Sequence, residues 1–390
     1  MVHFEQVIGC TLIVKTKRAK PYNMNMKRIL HVVGARPNFM KIAPIMREMA
    51  KYPREFEQIL VHTGQHYDTN MSEVFFDELD LPRPEINLEV GSSSHASQTA
   101  HVMLRFEPVV LNYKPDWVIV PGDVNSTLAC ALVANKLGVK LAHVEAGLRS
   151  FDRTMPEEIN RLLTDQIADL LLTPSRDANE NLIREGVAPE KIQFVGNVMI
   201  DTLVGLLLKA EKRWSNLRKQ FNLDSYILVT LHRPSNVDDP KTMREIMGAL
   251  NEISREKSVI FPVHPRTRQR IADNNLQPQN RGLRLIDPLG YLDFLALEMQ
   301  ASLVVTDSGG VQEETTYLGV PCLTARANTE RPITIACGRN RLVESKGTDL
   351  VRAVRAILYE EARPTDDIRP ELWDGQTASR IVDKLREAVA

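Results

Sequence analysis

Short apolar runs alternate with helical patterns along the chain from Arg28 onward. A continuous apolar run is typical of a strand that is covered on both faces, as in a parallel sheet. The first series of predicted strands comprises Ile29–Val33, Gln58–Val61, Trp117–Val120, Lys140–Val144, Leu170–Leu172 and Gln193–Val195. The predicted helices between them are Phe39–Lys51, Ser126–Lys136, Pro156–Ala168 and Asp177–Glu185. This alternation predicts right-handed crossovers and a doubly wound α/β domain.

A second series of apolar runs predicts a second domain of the same kind. Its strands are Tyr226–Thr230, Val259–Val263, Arg284–Ile286, Leu303–Thr306, Pro321–Thr324 and Arg341–Val343. The segment between the two series, 197–222, has a helical pattern and no strand, so we predict a domain boundary near residues 197–204. Two such domains leave a cleft between the carboxyl ends of their strands, and this cleft is the expected ligand site.

The first 26 residues do not fit this pattern. Residues 8–14 are apolar and residues 15–20 are mostly basic, whereas a secretory signal carries its charges before the apolar segment. We therefore predict that residues 1–26 are a dispensable extension. Residues 27–200 are then the N-terminal domain, and residues 201–372 are the C-terminal domain.

Composition excludes several classes of protein. The 390 residues fit two ordinary domains. Lys+Arg 49 against Asp+Glu 50, with no long basic run, argues against nucleic-acid and anionic-membrane partners. The four cysteines lack C-x-x-C spacing, which favours a reducing, cytoplasmic compartment. No apolar run reaches the length of a membrane span.

A glycine-rich turn in the second domain is the first candidate for chemistry. Ser308, Gly309 and Gly310 separate a predicted strand from a predicted helix, and Glu314 follows in that helix. Unpaired N–H groups at a helix start favour a phosphate, and a carboxylate accepts hydrogen bonds from sugar hydroxyls. The turn therefore indicates a nucleotide site with the diphosphate on the turn and the ribose on the acid. The structural alternative is a strand–helix turn with acids placed only by the helix dipole.

Two cations follow the first strand of the first domain. Arg36 lies in the loop after this strand, and Lys41 lies about one helical turn further on. Cations at the carboxyl end of a strand favour an anion in the cleft, although solvated loop charges would give the same pattern. The dinucleotide fingerprint G-x-G-x-x-G is absent here.

Three acids are predicted to converge on the same rim. Asp123 and Glu145 each follow a predicted strand, and Glu157 opens a predicted helix. General acid/base chemistry is the functional interpretation. Structural alternatives are an N-cap role for Asp123 and a surface pair between Glu157 and Arg161, which are four residues apart.

Two histidines end adjacent strands of the second domain, His232 after the first and His264 after the second. They share this predicted sheet with the glycine-rich turn, so we predict that they bind substrate. His62 and His66 are also four residues apart, but they lack the H-E-x-x-H context of a zinc site. We predict no metal.

Taken together, these motifs resemble the non-hydrolysing UDP-N-acetylglucosamine 2-epimerases over residues 27–390. The matching motifs are VVGARPNFMKIAP, TGQH, PGDVNSTLA, HVEAGLRS, MPEEINR, FVGNVMID, TLHRP, FPVHP, DSGGVQEE and NTERP. The resemblance implies two Rossmann-like domains arranged as in GT-B glycosyltransferases, with the active site between them. It also implies that a C-terminal helix, within residues 373–390, packs back on the N-terminal domain.

The resemblance implies reversible C2 epimerisation of UDP-N-acetylglucosamine to UDP-N-acetylmannosamine, which supplies precursors for cell-surface polysaccharide. The reaction eliminates UDP to leave 2-acetamidoglucal and then adds UDP back, without metal or other cofactor. The roles implied by motif match are acid/base catalysis by Asp123, Glu145 and Glu157, and diphosphate contact together with assistance to catalysis by His232. Arg161 would orient the acids, and the implied substrate contacts are Arg36, Lys41, His264, Ser308, Gly309, Gly310 and Glu314.

Several alternatives stay open. A relative that acts on a UDP-diacetamido-uronic acid carries a similar TGQH segment, so that sugar is the first alternative substrate. A GT-B glycosyltransferase, a hydrolysing epimerase and a nucleotide-sugar sensor are more distant alternatives. The resemblance also implies a homodimer and allosteric activation by the substrate at Gln65 and His66.

Overall fold

Two separate parallel sheets carry the fold. The computed structural model describes residues 26–64, 78–79, 81–337, 340–344, 346–359 and 369–388. Within these ranges every strand pairing is parallel. Gln65, His66 and most of residues 1–26 lie outside the described residues.

The first sheet has the strand order β3-β2-β1-β4-β5-β6-β7. Its strands are β1 (Lys27–Val33), β2 (Phe56–His62), β3 (Ile86–Asn87), β4 (Trp117–Pro121), β5 (Lys140–Val144), β6 (Leu170–Thr173) and β7 (Ile192–Phe194). The order reverses between β1 and β4, and a crevice opens at such a switch point. All five residues of β4 are buried, as expected for a strand covered on both faces.

The second sheet repeats this topology with the order β10-β9-β8-β11-β12-β13. Its strands are β8 (Tyr226–Thr230), β9 (Ser258–Pro262), β10 (Leu283–Ile286), β11 (Leu303–Thr306), β12 (Cys322–Ala325) and β13 (Asn340–Val343). The order again reverses beside the first strand of the series. The predicted α/β class with two doubly wound sheets is confirmed.

Most helices lie between consecutive strands, and the last two follow β13. They are α1 (Arg36–Met49), α2 (His95–Tyr113), α3 (Asn125–Lys136), α4 (Pro156–Ile167), α5 (Arg176–Arg184), α6 (Val198–Gln220), α7 (Pro234–Val237), α8 (Pro240–Ile253), α9 (Pro265–Asp273), α10 (Tyr291–Glu298), α11 (Gly309–Leu318), α12 (Pro332–Ala336), α13 (Gly347–Tyr359) and α14 (Thr377–Glu387). The sequence analysis did not predict α2 or the short strand β3. In the described part of the chain, no helix is long and apolar enough to cross a membrane.

The long helix α6 lies between the two sheets. It contacts α1 on one side and α10 and α11 on the other, and α14 also packs on α1 and α6. Asp201 in α6 accepts hydrogen bonds from the backbone N–H groups of Thr377 (3.1 Å) and Ala378 (2.7 Å), which begin α14. These contacts join both halves of the chain into one apolar core. The division into domains near residue 200 stays a prediction.

Candidate active site

Sharp turns at Gly122 and Glu145 follow the neighbouring strands β4 and β5. They place Asp123 and Glu145 at the same edge of the first sheet. Gly122 follows β4 with φ +66°, and its N–H donates to Val144 O of β5 at 2.9 Å. A Cβ on Gly122 would lie 2.8 Å from Nζ of Lys41, so only glycine fits here. Glu145 follows β5 with φ +71°, which is uncommon for a non-glycine residue and marks a constrained position.

The Asp123 carboxylate is held by the guanidinium of Arg161, with Nε to Oδ2 at 2.9 Å. Burial raises the pKa of Asp123, but Arg161, Lys41 and Arg331 outweigh it and leave the pKa below its usual value. Asp123 is not an N-cap, because α3 begins at Asn125 with Val124 before it and no side-chain cap. The carboxylate is therefore ionised at neutral pH and is not engaged in holding a helix end.

Glu145 is buried and pairs with cations from both halves of the chain. Nζ of Lys41 contacts its Oε2, and Nη2 of Arg331 lies 3.2 Å from its Oε1. The first cation comes from α1, and the second lies in the loop just before α12. The described side chains therefore form one ion network that connects the two halves of the chain.

The structural alternative of a surface pair between Glu157 and Arg161 is wrong. Arg161 is buried and turns inward to Asp123 and to Glu158, whose carboxylate also accepts from Ser150 N and Oγ. Glu157 is half-buried and lies on the side of α4 that faces the second sheet. Burial and then Arg326 lower the pKa of Arg233, and Glu157 is among the acids that oppose this shift.

The glycine-rich turn opens α11 as predicted, with Ser308 as N-cap and Gly309 as the first helical residue. The preceding Asp307 is fully buried, and it accepts from the backbone N–H groups of His232 and Arg233. A Cβ on Gly309 would lie 2.6 Å from Nη1 of Arg331. The turn therefore lies directly against the interdomain ion network.

The two predicted histidines lie in different surroundings. Nδ1 of His232 is 3.0 Å from Oδ1 of Asp307, and the side chain is 57% exposed. His264 is also exposed, and its Nδ1 accepts from Arg266 N at 3.3 Å at the start of α9. His232 is thus anchored at the glycine-rich turn, and His264 acts as a helix cap at the next strand end.

Two adjacent glutamates in α11 face different partners. Glu313 contacts Arg331 (Oε1 to Nε, 2.7 Å), and Glu314 accepts from the hydroxyl of Tyr291 at 2.7 Å. Burial is the main cause that raises the pKa of each carboxyl to about 7. Fully buried Glu298 lies beside Glu314, and burial followed by Glu314 raises the pKa of Glu298 well above its usual value.

A model of the family described as UDP-N-acetylglucosamine 2-epimerase matches residues 47–386 of this chain. The chain belongs to this family. The family prediction is thereby confirmed, and so is the enzyme class, an isomerase.

Similar proteins cover nearly the whole chain. The UDP-N-acetylglucosamine 2-epimerase of Methanocaldococcus jannaschii is 45% identical over 90% of this chain and 96% of its own length. The UDP-2,3-diacetamido-2,3-dideoxy-D-glucuronate 2-epimerase of Pseudomonas aeruginosa is 42% identical over 92% of this chain and 99% of its own length. The crystal structure of the M. jannaschii enzyme with UDP-GlcNAc and UDP superposes with a TM-score of 0.83 at 44% identity. That match covers 92% of this chain and 99% of the other.

The sequence analysis of this 2-epimerase family member missed part of the network. Arg331 contacts Glu145, Glu313 and Glu330, and Glu330 also pairs with Arg326 at 2.7 Å. These cations hold the pKa of Glu330 far below its usual range despite burial. The available signal was the NTERP motif, which contains two of these residues. The backbone of Arg36 begins α1, and its side chain is not described.

Proposed function

We propose that this 2-epimerase family member interconverts UDP-N-acetylglucosamine and UDP-N-acetylmannosamine. The observation that carries the proposal is the buried network in which Glu145 meets Lys41 from one half of the chain and Arg331 from the other. Acids, cations and a phosphate-binding turn thus lie within one network. Support also comes from the M. jannaschii relative, whose crystal structure is in complex with UDP-GlcNAc and UDP.

The reaction begins with loss of UDP rather than with direct proton removal. The C2 proton of the sugar is not adjacent to a carbonyl and is hardly acidic. When the C1–O bond breaks, its electron pair leaves with UDP. A base then takes the C2 proton, and the electron pair of the C2–H bond forms the C1–C2 double bond. The product is 2-acetamidoglucal. Proton return to C2 from the opposite face and re-addition of UDP at C1 give the epimer.

The departing diphosphate requires positive potential in a fixed place. We assign this to the turn of Ser308, Gly309 and Gly310 at the start of α11, where the helix dipole adds positive potential. The N–H of Ser308 donates to Oγ1 of Thr306 at 3.0 Å, so the N–H groups assigned to the diphosphate are those of Gly309 and Gly310. His232 is anchored through Asp307 at the same turn and would contact the diphosphate. Lys41 lies in the connected network, while Arg36 and His264 are assigned by motif alone.

The acid/base roles follow from charge state and exposure. Asp123 stays ionised because Arg161 and other cations lower its pKa, so it suits the role of base. Glu145 and Glu157 complete the acid set from β5 and α4, so protons can be exchanged on two faces of the intermediate. Arg161 orients the set because it fixes Asp123 directly.

The ribose is assigned to Glu314. Its carboxylate is held from one side by the Tyr291 hydroxyl, and it lies one turn into the helix that begins at the glycine-rich turn. The separation of one helical turn between the glycine-rich turn and Glu314 suits a diphosphate with its attached ribose. A paired carboxylate with a pKa of about 7 accepts hydroxyl hydrogen bonds best above neutral pH.

A UDP-diacetamido-uronic acid remains the second candidate substrate. The specific observation in its favour is the P. aeruginosa relative, whose identity of 42% is close to the 45% of the M. jannaschii enzyme. Both substrates undergo the same C2 chemistry, so only a direct comparison of the two separates the candidates.

The decisive experiment is proton NMR of UDP-N-acetylglucosamine with the enzyme in D2O. We expect an anomeric signal for the mannosamine epimer and deuterium at C2 of both nucleotide sugars. The variant Glu145→Gln should abolish this exchange, while Asp287→Asn, at a carboxylate that is 94% exposed, should not affect it. No new signal with the glucosamine substrate, but turnover of the uronate, would establish the second candidate. Free N-acetylmannosamine formed in step with UDP would indicate hydrolysis instead.

Assembly and regulation extend the proposal. We propose a homodimer in which a second copy covers the exposed apolar side chains of α2 and α4, among them Leu104, Leu111 and Leu163. We also propose that UDP-N-acetylglucosamine activates the enzyme allosterically through Gln65 and His66. Analytical ultracentrifugation tests the first proposal. The dependence of reverse epimerisation on added UDP-N-acetylglucosamine tests the second.

A further inference from the structure

His143 lies behind the acid set and is fully buried in β5. Its two ring nitrogens contact two different acceptors. Nδ1 is 2.6 Å from Oδ1 of Asp165 in α4, and Nε2 is 2.7 Å from the carbonyl oxygen of Gly122 after β4. The imidazole therefore bridges three elements that each carry a residue of the proposed acid set.

The two partners decide where the protons lie. A carbonyl oxygen only accepts hydrogen bonds, so Nε2 must carry a proton. Oδ2 of Asp165 is 3.1 Å from the N–H of Gly147 and 2.7 Å from Nη2 of Arg149, and both groups stabilise its anion. An ionised Asp165 also only accepts, so Nδ1 must carry a proton as well.

The charge count around the pair agrees with this protonation. Arg149 also contacts Glu185 through two hydrogen bonds of 2.8 and 2.6 Å. Asp165 and Glu185 contribute two negative charges, and Arg149 contributes one positive charge. The Glu185 side chain is 24% exposed, so water screens part of its charge; counted with it, the cluster is neutral when His143 is an imidazolium, and buried charges are tolerated when they are paired.

We propose that His143 is a doubly protonated positioning residue, which holds Asp123, Glu145 and Arg161 in register by joining Gly122 to Asp165. The Gly122 carbonyl belongs to the peptide that leads into Asp123, and Glu145 lies two residues after His143 on the same strand end. Asp165 lies one helical turn after Arg161, which binds Asp123. The consequence for catalysis rests on the proposed function, whereas the charge state does not.

The charge state is tested by proton–nitrogen NMR of wild-type enzyme labelled with ¹⁵N-histidine, at neutral pH. We expect both ring nitrogens of His143 to be protonated, with its signals assigned by their loss in His143→Asn. His31 is the internal control, because it is also fully buried and burial lowers its pKa to about 3. One unprotonated nitrogen in the His143 ring would overturn the proposal.

The positioning role is tested by His143→Gln and His143→Asn. The Gln amide can still donate towards Gly122 O, whereas the shorter Asn amide can reach only towards Asp165. We expect kcat of His143→Asn to fall on the order of 100-fold, with KM for the UDP-sugar unchanged and partial rescue in His143→Gln. A kcat within twofold of wild type, or equal losses in both variants, would overturn the positioning role. Inactive wild-type enzyme would refute the proposed function, and the NMR result would still decide the charge.

Discussion

Replacing Arg331 with methionine is the sharpest test of the interdomain network. Methionine keeps much of the side-chain volume but removes the charge that contacts Glu145, Glu313 and Glu330 at 3.2, 2.7 and 2.6 Å. Glu145 keeps Lys41, and Glu330 keeps Arg326. Within the described ranges, no other cation lies within ion-pair distance of Glu313, so its carboxylate becomes an uncompensated buried group.

We expect Arg331→Met to lower the free energy of unfolding by roughly 3–5 kcal/mol, the usual cost of breaking a buried ion pair from one side. The same substitution at Arg355, whose side chain is 42% exposed and pairs with Glu252 and Glu256, should cost far less, because solvent screens an exposed ion pair. Adding Glu313→Gln to Arg331→Met removes the uncompensated charge and should recover roughly 1–3 kcal/mol.

Urea unfolding followed by circular dichroism, below and above pH 7, provides the measurement. Burial raises the pKa of Glu313 to about 7, so this carboxyl is mostly neutral below that pH and Arg331 then stabilises it less. The loss in Arg331→Met should therefore be larger above pH 7 than below it. A loss as small as that of Arg355→Met, or no recovery on adding Glu313→Gln, would refute the reasoning.

Three further predictions concern single positions. Gly309→Ala places a Cβ 2.6 Å from the guanidinium of Arg331. Calorimetry should then show that the affinity for UDP falls at least about tenfold. The control is Gly248→Ala, whose Cβ meets nothing within 4 Å and should leave the affinity unchanged. Asp201→Ala removes both hydrogen bonds to the start of α14 and should cost about 1–2 kcal/mol in urea unfolding; an unchanged midpoint would contradict the capping role. Burial and Glu314 raise the pKa of Glu298 above 4.5, so its contribution to stability is complete below pH 4.5 and is lost as the pH rises. Glu298→Gln should flatten this loss in unfolding free energy as the pH rises above 4.5, and identical pH profiles would count against it.

Sequence reasoning predicted the sheets well because their strands are buried on both faces. A run such as Trp117–Pro121 is apolar throughout, and this pattern depends on local sequence alone. The two-residue strand Ile86–Asn87 is too short to give such a pattern. The site was predicted in part for the same reason, since Asp123 and Glu145 directly follow predicted strands.

Contacts between distant residues could not be predicted in this way. Arg331 and Glu145 are 186 positions apart, and their ion pair depends on how the two sheets are oriented. The inward direction of Arg161 could not be derived from the sequence pattern either, because spacing within a helix does not reveal that α4 turns this side chain inward. Charged residues in a polar motif look the same whether they are solvated or buried in a network.

The packing of α14 on α1 has a consequence for how the protein is made. Indole Nε1 of Trp373 donates to Pro174 O at 3.0 Å, and Arg386 pairs with Glu55, so the last described segment covers surface of the first half. On the ribosome, α1 emerges early but this covering helix is synthesised only after the entire second sheet. The first half therefore presents an uncovered apolar face to chaperones throughout synthesis, and the order of translation delays its final packing.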